Sequence, residues 1–229
     1  MSLSELQIST LLEQGFISLP QYKISEKNKS LFLSSVEKDK LSGYQSDYSE
    51  HKKYLSDNKI DTNLSIQLKE IAKRYFKLEC KLDDTYKITR VIDSSQKSEQ
   101  FRFHFDSHLF TLVTPINIPK TSSSDKGELI LAPQLRLEPI SEIKNSLTKI
   151  YYKRFSNYDG FQKLKKNKKI VYFDFQNNEP LLFLGRSCYH ANNQFISTNN
   201  DKRVTVLTHF FDPSPNFSLG RVMRVLRRR

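Results

Sequence analysis

Phe101-Arg-Phe-His-Phe-Asp106 alternates aromatic and polar residues without a break. In an extended chain, residues two apart project from the same face. His104 and Asp106 would then leave one side together, while Phe101, Phe103 and Phe105 pack on the other. An imidazole and a carboxylate side by side offer two neighbouring ligand positions to a metal ion. A lone His-x-Asp is a weak signal, and the rest of the chain decides its weight.

Two further elements follow in order. Gly185-Arg-Ser-Cys-Tyr-His190-Ala-Asn-Asn closes an apolar run, Pro180-Leu-Leu-Phe-Leu184, and offers a second imidazole. Asp201-Lys-Arg-Val-Thr205 then opens a β-rich segment that continues to Phe211. Arg203 carries a fixed charge and a planar fork that grips a carboxylate with two parallel hydrogen bonds. Thr205 shares its face and adds a hydroxyl. Two histidines and one carboxylate leave three of six metal positions open, which suits non-haem iron(II) oxygen chemistry.

Outward from these motifs, the first part of the chain is helical in pattern. Residues 3–13, 26–38 and 62–79 carry apolar residues at helical spacing, and Gly15-Phe-Ile-Ser-Leu-Pro20 reads as a short strand. The polar stretch 39–60 is expected to be a loop or lid, with Tyr44, Tyr48 and Tyr54 in it. After residue 84 the chain turns β-rich: 86–92, 101–106, 109–118, 127–133, 170–175, 180–184 and 203–211 read as strands, with a helical or irregular insertion over about 140–168. Helices followed by seven or more short strands predict a mainly β fold with flanking helices, a β-sandwich or jelly roll with a helical N-terminal part. One domain is expected over residues 1–229, with 1–84 helical, 85–213 as the jelly-roll core and 214–229 as a basic tail.

The order His-x-Asp, distal His, then Arg-x-Thr on the last strand resembles the iron(II)/2-oxoglutarate-dependent dioxygenase superfamily, whose fold is a double-stranded β-helix. The opening Gly15-Phe-Ile-Ser-Leu-Pro20 is similar to the N-terminal segment of its phytanoyl-CoA-hydroxylase-like branch. The resemblance implies that His104, Asp106 and His190 bind Fe(II), and that Arg203, with Thr205 beside it, binds the distal carboxylate of 2-oxoglutarate. It implies O2 as the other co-substrate and hydroxylation of a C–H bond, coupled to decarboxylation of 2-oxoglutarate to succinate. Related halogenases replace the carboxylate with Gly or Ala; Asp106 disfavours that outcome. Enzymes of the alkylation-repair branch carry a second arginine six residues after the first, where this chain has His209.

Around the motifs, Arg102 has the parity of His104 and is expected either to face the cavity or to form an ion pair. Arg186 and Asn192 flank His190 and either orient it or close a turn. His209 shares the face of Arg203 and reads as a core histidine, one behind the metal ligands, or a substrate contact. His108 continues the face of His104 but follows the expected strand end. Thr111, Thr114 and Asn117 are each able to reach the co-substrate.

A small-molecule substrate is expected, with a macromolecular substrate and a non-enzymatic jelly-roll binding module as the alternatives. Cupin-like sites carry more histidines than this chain supplies. The net charge of +12 and the Arg221–Arg229 terminus suit a nucleic acid or another anionic surface, or simply a solvated face. No apolar run approaches the length of a membrane span, and Cys80 and Cys188 form neither a metal spacing nor a disulfide framework. With no secretory pattern at Met1-Ser-Leu-Ser-Glu, a cytoplasmic location is expected.

Overall fold

The structure is a computed structural model that describes residues 2–93, 100–119, 127–136, 141–175, 177–194 and 202–213. The basic C-terminal stretch and Asp201 lie outside the described residues. In chain order the elements are α1 (Glu5–Gln14), β1 (Phe16–Ser18), α2 (Glu26–Lys38), β2 (Gly43–Ser46), α3 (Ser49–Asp57), α4 (Ser65–Phe76), β3 (Thr85–Ile92), β4 (Phe110–Asn117), β5 (Leu129–Ala132), α5 (Glu142–Lys153), α6 (Tyr158–Asn167), β6 (Val171–Phe173), β7 (Leu181–Leu184), β8 (Tyr189–Asn192) and β9 (Arg203–Phe210). The strands form a six-stranded sheet in the order β1-β7-β4-β9-β3-β2, facing a three-stranded sheet in the order β6-β5-β8. All strand pairs are antiparallel. This is the jelly roll expected from the sequence.

Each strand of the larger sheet sorts its residues by parity. Phe110, Leu112, Val204 and Val206 pack outward in one core with Phe32, Val36, Leu55, Leu68 and Ile71 of the helices. The alternate residues of β9, namely Arg203, Thr205, Leu207 and His209, line a cavity between the two sheets. β9 is central and paired along its length with β3 on one side and β4 on the other, so its register is locked twice. Pro115 is tolerated in β4 because the β7 pairing ends at Val113, and the register shifts between Pro115 and Asn117. The smaller sheet turns Ile130, Ala132, Tyr189 and Ala191 outward, onto Phe161 and Leu164 of α6 and onto Phe103 and Phe105.

Two expectations change, and one strand is added. The stretch 39–60 is largely regular: it holds β2, which completes one edge of the larger sheet, and α3. Its helical signal rests on His51, Tyr54 and Leu55 alone, a narrow buried face in a polar segment. β1, anticipated at Gly15–Pro20, and β2 form the two edges of the larger sheet. Residues 101–106 are not a strand. Phe101 is left-handed (φ 51°), and the segment touches the smaller sheet only through isolated bridges at Gln100 and His104. The β8 strand, which carries His190, is a further element, hidden in sequence by its brevity.

His51 sits under β9 with no exposed surface, its Nε2 2.9 Å from Thr208 Oγ1 and its Nδ1 without a hydrogen-bond partner. Burial, reinforced by the charges of Lys87 and His209, lowers its pKa to about 3. The native state thus refuses a proton that the unfolded chain accepts below about 6.5, so stability falls as pH drops from there toward 3. A His51→Asn variant lacks this term. Its stability relative to wild type is expected to improve by about 2 kcal/mol between pH 7 and pH 5, measured by urea denaturation at both values.

Candidate metal centre and anion pocket

His104, Asp106 and His190 come together as the sequence spacing anticipates. One ligand-type atom from each lies within 4.8 Å of the others. Asp106 Oδ1 is 3.6 Å from His104 Nε2 and 3.7 Å from His190 Nε2. The backbone builds this convergence. His104 and His190 exchange two N–H···O=C bonds of 3.0 Å, and the Asp106 amide donates to the Gly185 carbonyl at 3.0 Å.

Gly185 lies so close that a side chain has no room. A Cβ there would come within 2.8 Å of His108 O and Thr111 Oγ1, and 2.9 Å of Asp106 Cβ.

The polar surroundings set which atoms are free. His104 Nδ1 is 2.9 Å from the Arg102 carbonyl, and His190 Nδ1 is 3.1 Å from the Cys188 carbonyl. A carbonyl only accepts, so both Nδ1 atoms carry the proton and both Nε2 lone pairs point at Asp106. On the carboxylate, Thr111 donates to Oδ2 at 2.5 Å, and His209 Nδ1 lies 3.5 Å from Oδ2 and 3.0 Å from Thr111 Oγ1. Oδ2 is thereby tied back, and Oδ1 is left facing the two imidazoles. Burial alone would raise the Asp106 pKa, but His190, His209 and His104 outweigh it and hold the carboxyl well below the ordinary range. A carboxylate and two neutral imidazoles form a donor set suited to a divalent transition metal.

The cavity beside the three groups has a volume of about 510 Å³. Its far wall holds Arg203, whose Nη1 donates to Asn192 Oδ1 at 3.1 Å and whose buried Nε has no hydrogen-bond partner. Burial pulls the pKa of this guanidinium down to about 9, and the neighbouring charge of Arg90 pulls the same way. Since a guanidinium keeps its proton at physiological pH, this marks a buried cation short of compensating negative charge. Thr205 is buried in the same wall. Tyr44, Tyr86, Ile88 and Arg90, on β2 and β3, complete that side, with the Arg90 guanidinium 5.4 Å from the Tyr44 ring centroid. Val113, Leu129, Phe183 and Leu207 make the apolar walls.

Other expected site residues fall in different places. Arg102 is exposed and outside the cavity lining, and its backbone carbonyl lies beneath His104. A tight turn centred on Arg102, closed by the Phe103 amide on the Phe101 carbonyl at 2.9 Å, breaks the alternation there. Arg186 is fully buried away from the cavity, its carbonyl accepting from Arg136 Nε. Asn192 does not orient His190 but holds Arg203. His209 and Thr111 lie behind Asp106. His108 lines the cavity and stacks with Tyr86 at 6.2 Å, outside the three-residue cluster. Thr114 faces the helices and contacts Tyr54 Oη at 3.0 Å, and Asn117 donates to the Lys202 carbonyl. Of the three tyrosines in the supposed lid, only Tyr44 reaches the cavity; Tyr48 and Tyr54 are core residues. Sequence reasoning passed over Tyr86 and Arg90, although the alternation Tyr86-x-Ile88-x-Arg90 was there to place them on one face.

No family model matches the sequence, and no curated protein matches it either. Solved structures do match. A prolyl-4-hydroxylase from Pseudomonas putida superposes with a TM-score of 0.54 over 90% of this chain and 97% of its own, at 11% identity. A prolyl 4-hydroxylase from Phytophthora capsici gives 0.56 over 98% and 70%, at 11% identity. HygX from Streptomyces hygroscopicus, with nickel and 2-oxoglutarate bound, gives 0.56 over 94% and 89%, at 12% identity. With cavity, triad and sheet order in place, these likenesses show that the chain has the jelly-roll fold of the prolyl hydroxylases and of HygX.

Proposed function

We propose that the protein is an iron(II)- and 2-oxoglutarate-dependent oxygenase that hydroxylates a C–H bond of a small molecule. The observation that carries this reading is the link from His190 to Arg203 through Asn192. His190 and Asn192 share the cavity face of β8, two residues apart, or about 7 Å along an extended strand. Asn192 holds the Arg203 guanidinium at that point. An extended five-carbon dicarboxylate bridges a gap of this kind, with one end at the metal and the other at the arginine.

The residues fit the absent groups. His104 Nε2, His190 Nε2 and Asp106 Oδ1 would hold Fe(II), and the unpaired Arg203 Nε, with Thr205 beside it, would receive the distal carboxylate of 2-oxoglutarate. Bound iron supplies the activation of O2 that couples R–H + O2 + 2-oxoglutarate to R–OH + succinate + CO2. The chain's own part is positional. Thr111 and His209 restrict Asp106 to a single ligating oxygen, which leaves room for co-substrate and O2. Phe183, 4.8 Å from the His190 ring, and the apolar walls keep water from the reacting C–H bond. The volume of the cavity suits a co-substrate and a small organic molecule together. A polypeptide substrate is the second reading. It draws on a prolyl hydroxylase from Trichoplax adhaerens, solved with a peptide fragment and of the same fold (TM-score 0.50).

The test is anaerobic. Fe(II) followed by 2-oxoglutarate is expected to produce a visible metal-to-ligand charge-transfer band in the wild type. The band should be absent in His104→Ala. Arg203→Ala should need at least tenfold more 2-oxoglutarate to reach it, since a buried charge-assisted pair is worth about 1.5–3 kcal/mol. A correctly folded wild type that shows no band would return the chain to the binding-module reading.

A further inference from the structure

α5 is amphipathic in the wrong sense for a helix that only packs on its own domain. Its inward side is polar or mixed: Asn145 is buried, Thr148 Oγ1 accepts from Arg136 Nη1 at 2.8 Å, and Tyr152 packs on Phe105 and Tyr189. Its apolar residues point outward. Ile143 is 77% exposed, Leu147 62%, Ile150 71% and Tyr151 51%. Their spacing of i, i+4, i+7 and i+8 makes one continuous stripe of about two turns. Single exposed apolar residues are ordinary, but a contiguous stripe opposite the packed face marks an interaction surface.

The rim of the stripe says what covers it. Glu142 opens the helix and Asp159 follows it, but no Asp or Glu lies between them, while Lys144, Lys153 and Arg154 are all exposed beside the stripe. The Arg154 guanidinium lies 3.7 Å from the Tyr151 ring centroid, a cation at the edge of the apolar patch. Beyond it, Lys163, Lys165, Lys166, Lys168 and Lys169 extend the positive surface. A second copy of this chain would press lysine rims together in a protein of net charge +12. A lipid surface holds such a helix in proportion to the apolar area it buries, and four side chains bury little. A helix of another protein, apolar on one face with Glu or Asp on both flanks, satisfies stripe and rims together.

We propose that the outer face of α5 is a docking site for an acidic amphipathic helix of a partner protein. The site borders the cavity: Lys149, on the inward side of the same helix, donates to Ser107 at the cavity wall (3.3 Å). Docking is a property of the surface alone and does not depend on the metal or on the oxygenase reading.

The probe is a fluorescein-labelled helical peptide with a leucine stripe flanked by glutamates, titrated with the full-length protein and followed by anisotropy. The control is the same peptide with lysines in place of the glutamates. The acidic peptide is expected to bind at least tenfold more tightly than the basic one, with and without Fe(II). Leu147→Ser/Ile150→Ser and Lys144→Glu/Lys153→Glu should each weaken binding at least tenfold. Both pairs are solvent-exposed, and unchanged thermal melts would show that the fold is intact. Equal binding of the two peptides, no binding of the acidic one, or full binding to either double variant overturns the proposal. Tighter retention on phosphatidylglycerol vesicles than on the peptide, lost in Leu147→Ser/Ile150→Ser, would overturn it in favour of a membrane. A concentration-dependent dimer lost in that variant would overturn it in favour of self-association.

Discussion

Asp106→Ala is expected to abolish measurable Fe(II) binding under anaerobic conditions, the largest effect of any single substitution at this site. The carboxylate is the only anion among the three grouped side chains, and its Oδ1 is the point on which both Nε2 atoms converge. Removing it leaves two neutral imidazoles, together with a Thr111 hydroxyl and a His209 ring that have lost their acceptor. Thr111→Val provides the scale. It keeps the carboxylate and removes only the 2.5 Å bond that restrains Oδ2. Loss of such an outer partner costs about 10–100-fold in metal affinity. Calorimetric titration with Fe(II) should therefore rank wild type, Thr111→Val and Asp106→Ala in descending order. A Thr111→Val protein that binds as tightly as wild type would show that the Oδ2 restraint does not matter to the metal.

Gly185→Ala is expected to destabilise the fold and disturb the grouped side chains together. The added methyl would meet the His108 carbonyl oxygen at 2.8 Å, an atom that cannot swing away as a flexible side chain can. It would also meet Thr111 Oγ1 and Asp106 Cβ, so relief of the clash moves the carboxylate that faces the two imidazoles. Overpacking of this kind costs about 1–3 kcal/mol, and the rigidity of the three neighbours puts this case at the upper end. Gly43→Ala is the control. Its Cβ meets nothing within 4 Å, and only its positive φ of 73° is strained, a cost of about 1–2 kcal/mol. Urea denaturation should find Gly185→Ala the less stable of the two. Fe(II) affinity should fall in Gly185→Ala and stay unchanged in Gly43→Ala.

Much of this site could be read from the sequence because its parts lie on alternating segments. Arg203, Thr205 and His209 share a parity that the long central strand β9 preserves. His104 and Asp106 were paired correctly, although the segment that carries them is not a strand: the exchange of backbone bonds with His190 holds His104 extended locally, without a ladder. Of the two readings open for Arg102, the cavity-facing one does not hold, because a tight turn closed by the Phe103 amide on the Phe101 carbonyl centres on it. The partnership of Asn192 with Arg203 was not legible, because it depends on strands of opposite sheets meeting across the cavity. Nor was the outward face of α5, since periodicity gives the width of an apolar stripe but not its direction. The polar stretch 39–60 misled for the reverse reason: α3 buries a histidine and a tyrosine, residues that carry little hydropathy signal.

The three grouped side chains do not meet solvent equally. Asp106 and His190 are 8% and 6% exposed, whereas His104 is 55% exposed. An ion held as proposed would therefore have its most open approach at the His104 imidazole. On the proposed reading His104 would control exchange, while Asp106 and His190 would set the depth of the well. Substitution at His104 should thus speed both loading and stripping by a chelator, whereas substitution at His190 should act chiefly on the equilibrium.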